Sequence, residues 1–161
     1  MLAQGSASTR IAAPPERVWE LVADVTRMGE WSPECYRCEW LSVPPGPRVG
    51  ARFRGHNRLG PFRWSLECVV TACTPGQEFA FSTVVGSSEA TRWRYTLHPA
   101  DGGTEIVQSF EWLHEFWLLR PFAVVFKARR QAGLIAGMQT TLGRLKGVAE
   151  AAAVDASPGG R

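Results

Sequence analysis

Between Cys35 and Trp112 large apolar side chains recur at every second residue through six successive segments, and that rhythm restricts the fold more than any other feature of the chain. A period of two belongs to strands with one buried and one wet face, the pattern of antiparallel pairing. The strand Phe62–Cys73 sets Phe62, Trp64, Leu66, Cys68 and Val70 on one side and Arg63, Ser65 and Glu67 on the other. Thr91, Trp93, Tyr95 and Leu97 share a face of Ala90–His98, against Arg92, Arg94 and Thr96. Glu78–Val85 offers Phe79, Phe81 and Thr83, and Thr104–Trp112 offers Ile106, Gln108, Phe110 and Trp112. Val49–Arg58 turns Ala51, Phe53, Gly55 and Asn57 inward and Arg52, Arg54, His56 and Arg58 outward.

Turn chemistry separates these segments. Pro44-Pro45-Gly46-Pro47 follows the strand Tyr36–Leu41, Leu59-Gly60-Pro61 opens the next hairpin, and Asp101-Gly102-Gly103 closes the last. Upstream, Gln4–Ala12 reads as a first strand and Pro15–Asp24 as a helix, with proline in its first turn and Glu16 beside the positive end of the dipole. A short helical turn over Thr26–Trp31, capped by Thr26, ends at Ser32-Pro33. Downstream lies one long helical stretch, from about Glu115 to Ala153, with Pro121 marking a kink or its true start. Its apolar stripe of Leu134, Ile135, Met138, Leu142, Leu145 and Val148 is fit to cover the concave side of a curved sheet. The expectation is one α+β domain over residues 1–153 and a flexible tail over 154–161.

Composition excludes several classes. An apolar fraction of 45% with 20% charged residues belongs to globular chains, not disordered ones. Met1–Ala13 lacks the basic start and apolar core of a signal peptide, and the nearly apolar Phe116–Phe126 is broken by Arg120 and Pro121 and falls short of the ~20 residues a bilayer span needs. A cytoplasmic location is the default expectation. The outward arginines alternate with inward aromatics, so no stacking platform for bases forms among them, and no nucleic-acid partner is expected.

Four cysteines include the pair Cys35-Tyr-Arg-Cys38, with Cys68 and Cys73 further on. On a regular strand, positions three apart face opposite ways and share no metal. No helix follows to stabilise a redox thiolate, so buried or idle thiols are expected and no metal. The three histidines, His56, His98 and His114, form no ligand cluster with them.

Two stretches carry a resemblance. IAAPPERVWELVADVTRMGEWSP and TRWRYTLHPADGGTEIVQSFEW are similar to the opening and closing strands of the helix-grip fold, and the chain is identified as a member of the START/SRPBCC superfamily, polyketide cyclase/dehydrase branch, over Gln4–Lys146. The resemblance implies a curved antiparallel seven-stranded sheet wrapped around a long C-terminal helix, two short helices between strands one and two, and a hydrophobic cavity between sheet and helix. It implies a ligand that is aromatic, polyketide-like or lipid. Cyclases of this kind hold substrate with an inward arginine; here the matching strand has none, and Cys68 stands near that place while Arg63 faces outward. Tyr36 lies close to where cyclases place a tyrosine.

The expected cavity wall is Phe53, Asn57, Trp64, Leu66, Phe79, Phe81, Thr83, Trp93, Tyr95, Gln108, Phe110 and Trp112, faced by Leu134 and Met138. The candidates for holding a ligand's polar groups are Tyr95, Gln108 and Tyr36. No inward carboxylate or histidine joins them, which favours a carrier or sensor over an enzyme; cyclase/dehydrase chemistry and a protein-interaction role stay open as alternatives. No cofactor is expected. Phe116–Phe126 is a candidate gate or docking surface for a membrane or protein, and both monomer and homodimer remain open.

Overall fold

The computed structural model describes residues 2–114 and 123–157, with the side chains of 123–126 excepted. Its elements are β1 (Gln4–Ile11), α1 (Pro15–Ala23), a short 3-10 helix (Val25–Glu30), β2 (Cys35–Trp40), β3 (Arg52–Leu59), β4 (Phe62–Thr74), β5 (Glu78–Val85), β6 (Ser88–Ala100), β7 (Gly103–Trp112) and α2 (Ala123–Ala156). The strands form one antiparallel sheet in the order β1-β7-β6-β5-β4-β3-β2. Beyond the first crossover, every strand pairs with its sequence neighbour, which is what short turns between amphipathic strands produce.

The sheet curls because its ladder is interrupted. Bulges lie between Cys35 and Arg37, between Val70 and Ala72, and between Thr83 and Val84. Each adds a residue to one strand, bends it and increases the local twist. α2 lies against the side that the curl encloses and packs along β1.

Two glycines fix close approaches. A Cβ on Gly103 would stand 2.0 Å from the Ile11 carbonyl oxygen, where the β6–β7 hairpin closes over the end of β1. A Cβ on Gly29 would stand 2.4 Å from the Tyr36 carbonyl oxygen, so the 3-10 helix reaches β2 only without a side chain there.

Helix ends follow local chemistry, with one correction. Pro15 opens α1 as expected, and Trp19 anchors it by donating from Nε1 to the Glu78 carbonyl at 2.8 Å. The cap of the 3-10 helix is Asp24, not Thr26: its carboxylate accepts from the Thr26 backbone amide at 3.2 Å and from the Thr26 hydroxyl. The residue that ends α1 thus starts the next turn. α2 continues to Ala156, past the expected end at Ala153. Its expected beginning at Glu115, and the lead-in over Phe116–Leu119, lie outside the described residues.

The apolar interior falls into two clusters. The larger joins Phe53, Phe79, Phe81, Leu97 and Ile106 of the sheet to Val18 and Val22 of α1, to Trp31 just after the 3-10 helix, and to Leu142, Leu145 and Ala149 of α2. The smaller joins Ala3, Phe110, Leu134 and Met138. Trp93 packs against both.

Candidate functional site

The concave face is built by register. Tyr95 on β6 stands opposite Gln108 on β7, flanked by the pairs Trp93–Phe110 and Leu97–Ile106. Residues two apart on a strand share a face, so a polar pair sits between an aromatic pair and an aliphatic pair, all inward. Gln108 lies between Ile106 of the larger cluster and Phe110 of the smaller one, at the seam that divides the core.

The chemistry of that pair is incomplete. Gln108 donates from Nε2 to the Tyr95 hydroxyl at 3.1 Å, and its Oε1 is buried without a partner among the described residues. Turning the amide over exchanges the roles but still leaves one of its polar atoms unpaired. Tyr95 is 3% exposed and Gln108 5%, so both lie almost wholly within the fold. Burial, with the nearby Cys35 and Cys38 sulfurs adding to it, pushes the Tyr95 hydroxyl well above the ordinary phenol range. Tyr95 therefore stays protonated, a hydrogen-bonding group and not a base.

Aromatic side chains of the concave face meet one another in pairs. Phe53 and Phe81 meet edge to face with centroids 5.1 Å apart, Phe79 and Phe81 are 6.1 Å apart, and Trp93 and Phe110 are 5.5 Å apart. Phe53, Phe79, Phe81 and Phe110 are buried, as are Leu134 and Met138 of α2; Asn57, Trp64, Leu66, Trp93 and Trp112 are half-buried. Thr83 accepts from the Thr91 backbone amide at 3.1 Å, and so it braces the end of β5.

Tyr36 does not join them. It is 41% exposed, with the guanidinium groups of Arg58 and Arg63 at 5.7 and 6.0 Å from its ring centroid. The bulge after Cys35 reverses the facing that simple alternation assigns. Phe62 also departs from its expected inward place: it is 72% exposed at the tip of the β3–β4 hairpin, beyond the reach of the core. Cys68 is buried on the inner face of β4, and Arg63 is exposed.

Sequence reasoning also missed the arrangement of Cys35 and Cys38. Both are buried on one face, with sulfurs 3.4 Å apart, and Cys38 lies 3.8 Å from the Met28 thioether. The bulge between Cys35 and Arg37 supplies the extra residue that makes a three-residue spacing point one way. No composition signal announces a bulge here. Among the described residues no group of three or more His, Cys, Asp or Glu side chains is arranged to hold a metal ion.

The outer face is a solvated lattice of ion pairs. Arg52 and Arg54 both reach Glu67, Arg92 reaches Glu89, and Arg94 reaches Glu78. His56 lies between Glu39 at 3.1 Å and Ser65 at 2.8 Å, an outward position. An open hollow of about 480 Å³ lies between α1 and the loop before β3, lined by Trp19, Trp40, Pro45 and Pro47 among others.

Comparison with known proteins fits this architecture. Residues 3–150 match the family described as polyketide cyclase / dehydrase and lipid transport, and the chain belongs to that family. No curated protein matches its sequence. Among solved structures it is similar to a polyketide-cyclase-like protein of Corynebacterium glutamicum, with 28% identity, 99% of each chain covered and a TM-score of 0.69. It is similar in fold to the aromatase/cyclase ZhuI of a Streptomyces species, at 16% identity over 99% of this chain and 100% of that one, with a TM-score of 0.73. The di-domain aromatase/cyclase StfQ of the steffimycin pathway is similar over 96% of this chain and 52% of its own, at 14% identity and a TM-score of 0.76. No helix among the described residues is long and apolar enough to cross a membrane.

Proposed function

We propose that this protein binds a small hydrophobic ligand, aromatic, polyketide-like or lipid, between the concave face of the sheet and α2, as a carrier or sensor. The observation that carries this reading is the buried, half-satisfied amide of Gln108. A buried polar atom left unpaired costs about 1–3 kcal/mol, and a sequence of apolar residues at that seam would avoid the cost. A ligand donor placed against Gln108 Oε1 removes it, while the row of Phe81, Trp93 and Phe110 on one side and Leu97 and Ile106 on the other supply apolar contact. The family's inclusion of lipid transport supports a binding role.

A second reading follows from the fold likeness to aromatase/cyclases. In it the Tyr95 hydroxyl donates to a substrate carbonyl and polarises it for ring closure. The inner face of β4 carries Cys68 where such enzymes are expected to carry an arginine, and among the described residues no buried carboxylate or histidine accompanies Tyr95 to take a proton. Binding without turnover is therefore the preferred function.

Native mass spectrometry of protein purified gently from its host, or after exposure to a mixed lipid and polyketide extract, tests both. A reproducible one-to-one adduct, lost on denaturation, is the expected result, and its mass names the class to assay for turnover. Absence of any adduct across such mixtures refutes the ligand-binding reading and leaves protein interaction as the role to examine.

A further inference from the structure

The family reading makes no use of the sulfur cluster under β2. Cys35 is 7% exposed and Cys38 5%, and their sulfurs stand at 3.4 Å, close enough for a thiol hydrogen bond. Gly55, opposite Cys38 on β3, makes room for them: a Cβ at that position would meet both sulfurs at 3.7 Å. The pair is also asymmetric. The hydrogen bond from Cys38 lowers the Cys35 thiol from its ordinary range, helped by backbone hydrogen bonds at Arg37 and His56 and opposed by burial. The same bond, and burial with it, raises Cys38. One sulfur is thus disposed to become a thiolate and its neighbour to remain a thiol, the division of labour between attacking and resolving cysteines.

We propose that Cys35 and Cys38 form a reversible disulfide modification site whose oxidant is a hydroperoxide. Cys35 gives up its proton, and its thiolate attacks the terminal peroxide oxygen. The O–O bond breaks, the leaving oxygen takes that proton and departs as water or an alcohol, and Cys35 becomes a sulfenic acid. Cys38 then attacks the Cys35 sulfur; the S–S bond forms, the S–O bond breaks, and water leaves with the Cys38 proton. Two thiols lose two electrons and the hydroperoxide gains them. The sulfurs must close from 3.4 Å to about 2.0 Å. Both cysteines belong to β2, which lies at the sheet edge and pairs with β3 as its one neighbouring strand, so the closure is local to a single edge strand.

The test uses the full chain carrying Cys73→Ser, which removes the more exposed of the other two thiols. The protein is treated with hydrogen peroxide, alkylated under denaturing conditions and digested with trypsin. Trypsin cuts at Arg37, between the two cysteines, so a disulfide joins two otherwise separate peptides. The expected result is that joined species, lost after dithiothreitol. Cys38→Ser is expected to lose it completely and to leave a dimedone-reactive sulfenic acid on Cys35, whereas Cys68→Ser keeps it. Recovery of Cys35 and Cys38 as separately alkylated peptides, or a link that uses Cys68, overturns the proposal. Should Cys38→Ser fail to fold, the peptide map of the Cys73→Ser protein decides alone.

Discussion

Arg130 of α2 grips both carboxylate oxygens of Glu34, 96 residues earlier in the sequence and one residue before β2. The two side chains are 26% and 24% exposed, drier than the other described ion pairs between arginine and glutamate, and the two-pronged geometry adds direction to charge. The pair ties α2 to the edge of the sheet opposite β1. Because Arg130 lies near the start of the described helix, it holds the end of α2 that faces the smaller apolar cluster.

Breaking this tie has a measurable cost. Arg130→Met keeps much of the apolar stem and removes the fork, so the expected loss is about 1 kcal/mol, a fall of ~2–4 °C in Tm for a chain of this size. In a double-mutant cycle, adding Glu34→Gln to it is expected to cost less than the two single losses together. Strict additivity would mean that the two groups act independently.

Tyr95, Cys38 and Cys68 share a linkage consequence. Each is held above its ordinary value: Tyr95 by burial first, Cys38 by its hydrogen bond to Cys35 and then burial, and Cys68 by burial first. The folded state therefore retains protons that the unfolded chain releases above roughly pH 8.5 for thiols and 10 for phenol. Where the native state binds more protons, stability falls as pH rises, so the contribution is complete below those values and declines above them. Thermal melts are expected to show Tm falling from about pH 8.5 upward, with Tyr95→Phe flattening the portion above about pH 10. An unchanged slope in that variant would place the alkaline sensitivity elsewhere.

Trp93 joins the two apolar clusters at the seam where Gln108 Oε1 lies without a partner among the described residues. If this is a ligand wall, Trp93→Ala removes a large aromatic contact, and affinity for any ligand found by native mass spectrometry is expected to fall about tenfold or more. Calorimetric titration of the folded variant measures it. Unchanged affinity would mean that the indole serves the core alone.

Much of this was legible because strands announce their faces. The alternation through Trp93, Tyr95 and Leu97, and through Ile106, Gln108 and Phe110, set the inner wall before any contact was known, and the register then brought Tyr95 opposite Gln108. Fold family was equally legible, from the Ala-Pro entry to α1 and the Gly-Gly-Thr turn into β7. What alternation misses is an inserted residue. One bulge after Cys35 turned Tyr36 outward and brought Cys38 to the side of Cys35, and bulges depend on pairing partners that a single strand does not display. Long-range polar pairs were hidden for a similar reason: nothing local to Arg130 names Glu34 as its partner. The candidate gate at Phe116–Phe126 falls outside the described residues apart from the helical backbone of 123–126.

Gly103 offers the sharpest test of the fold itself. Its place is dictated by backbone, since an added Cβ would stand 2.0 Å from the Ile11 carbonyl oxygen and 3.0 Å from the Ala12 Cα. Neither atom belongs to a flexible side chain, so relief requires β1 to part from the β6–β7 hairpin. That hairpin also carries Thr104, whose buried hydroxyl donates to the Ala13 carbonyl at 2.7 Å and closes the corner before α1. Gly103→Ala is therefore expected to destabilise by about 2 kcal/mol or more, several degrees in Tm, through strain and a lengthened Thr104 bond together. The same substitution at Gly102, whose φ of 73° is strained for alanine but whose surroundings are open, is expected to cost about 1 kcal/mol. A melt in which Gly102→Ala is the more damaging of the two would show that turn conformation, and not the approach of β1, limits this corner.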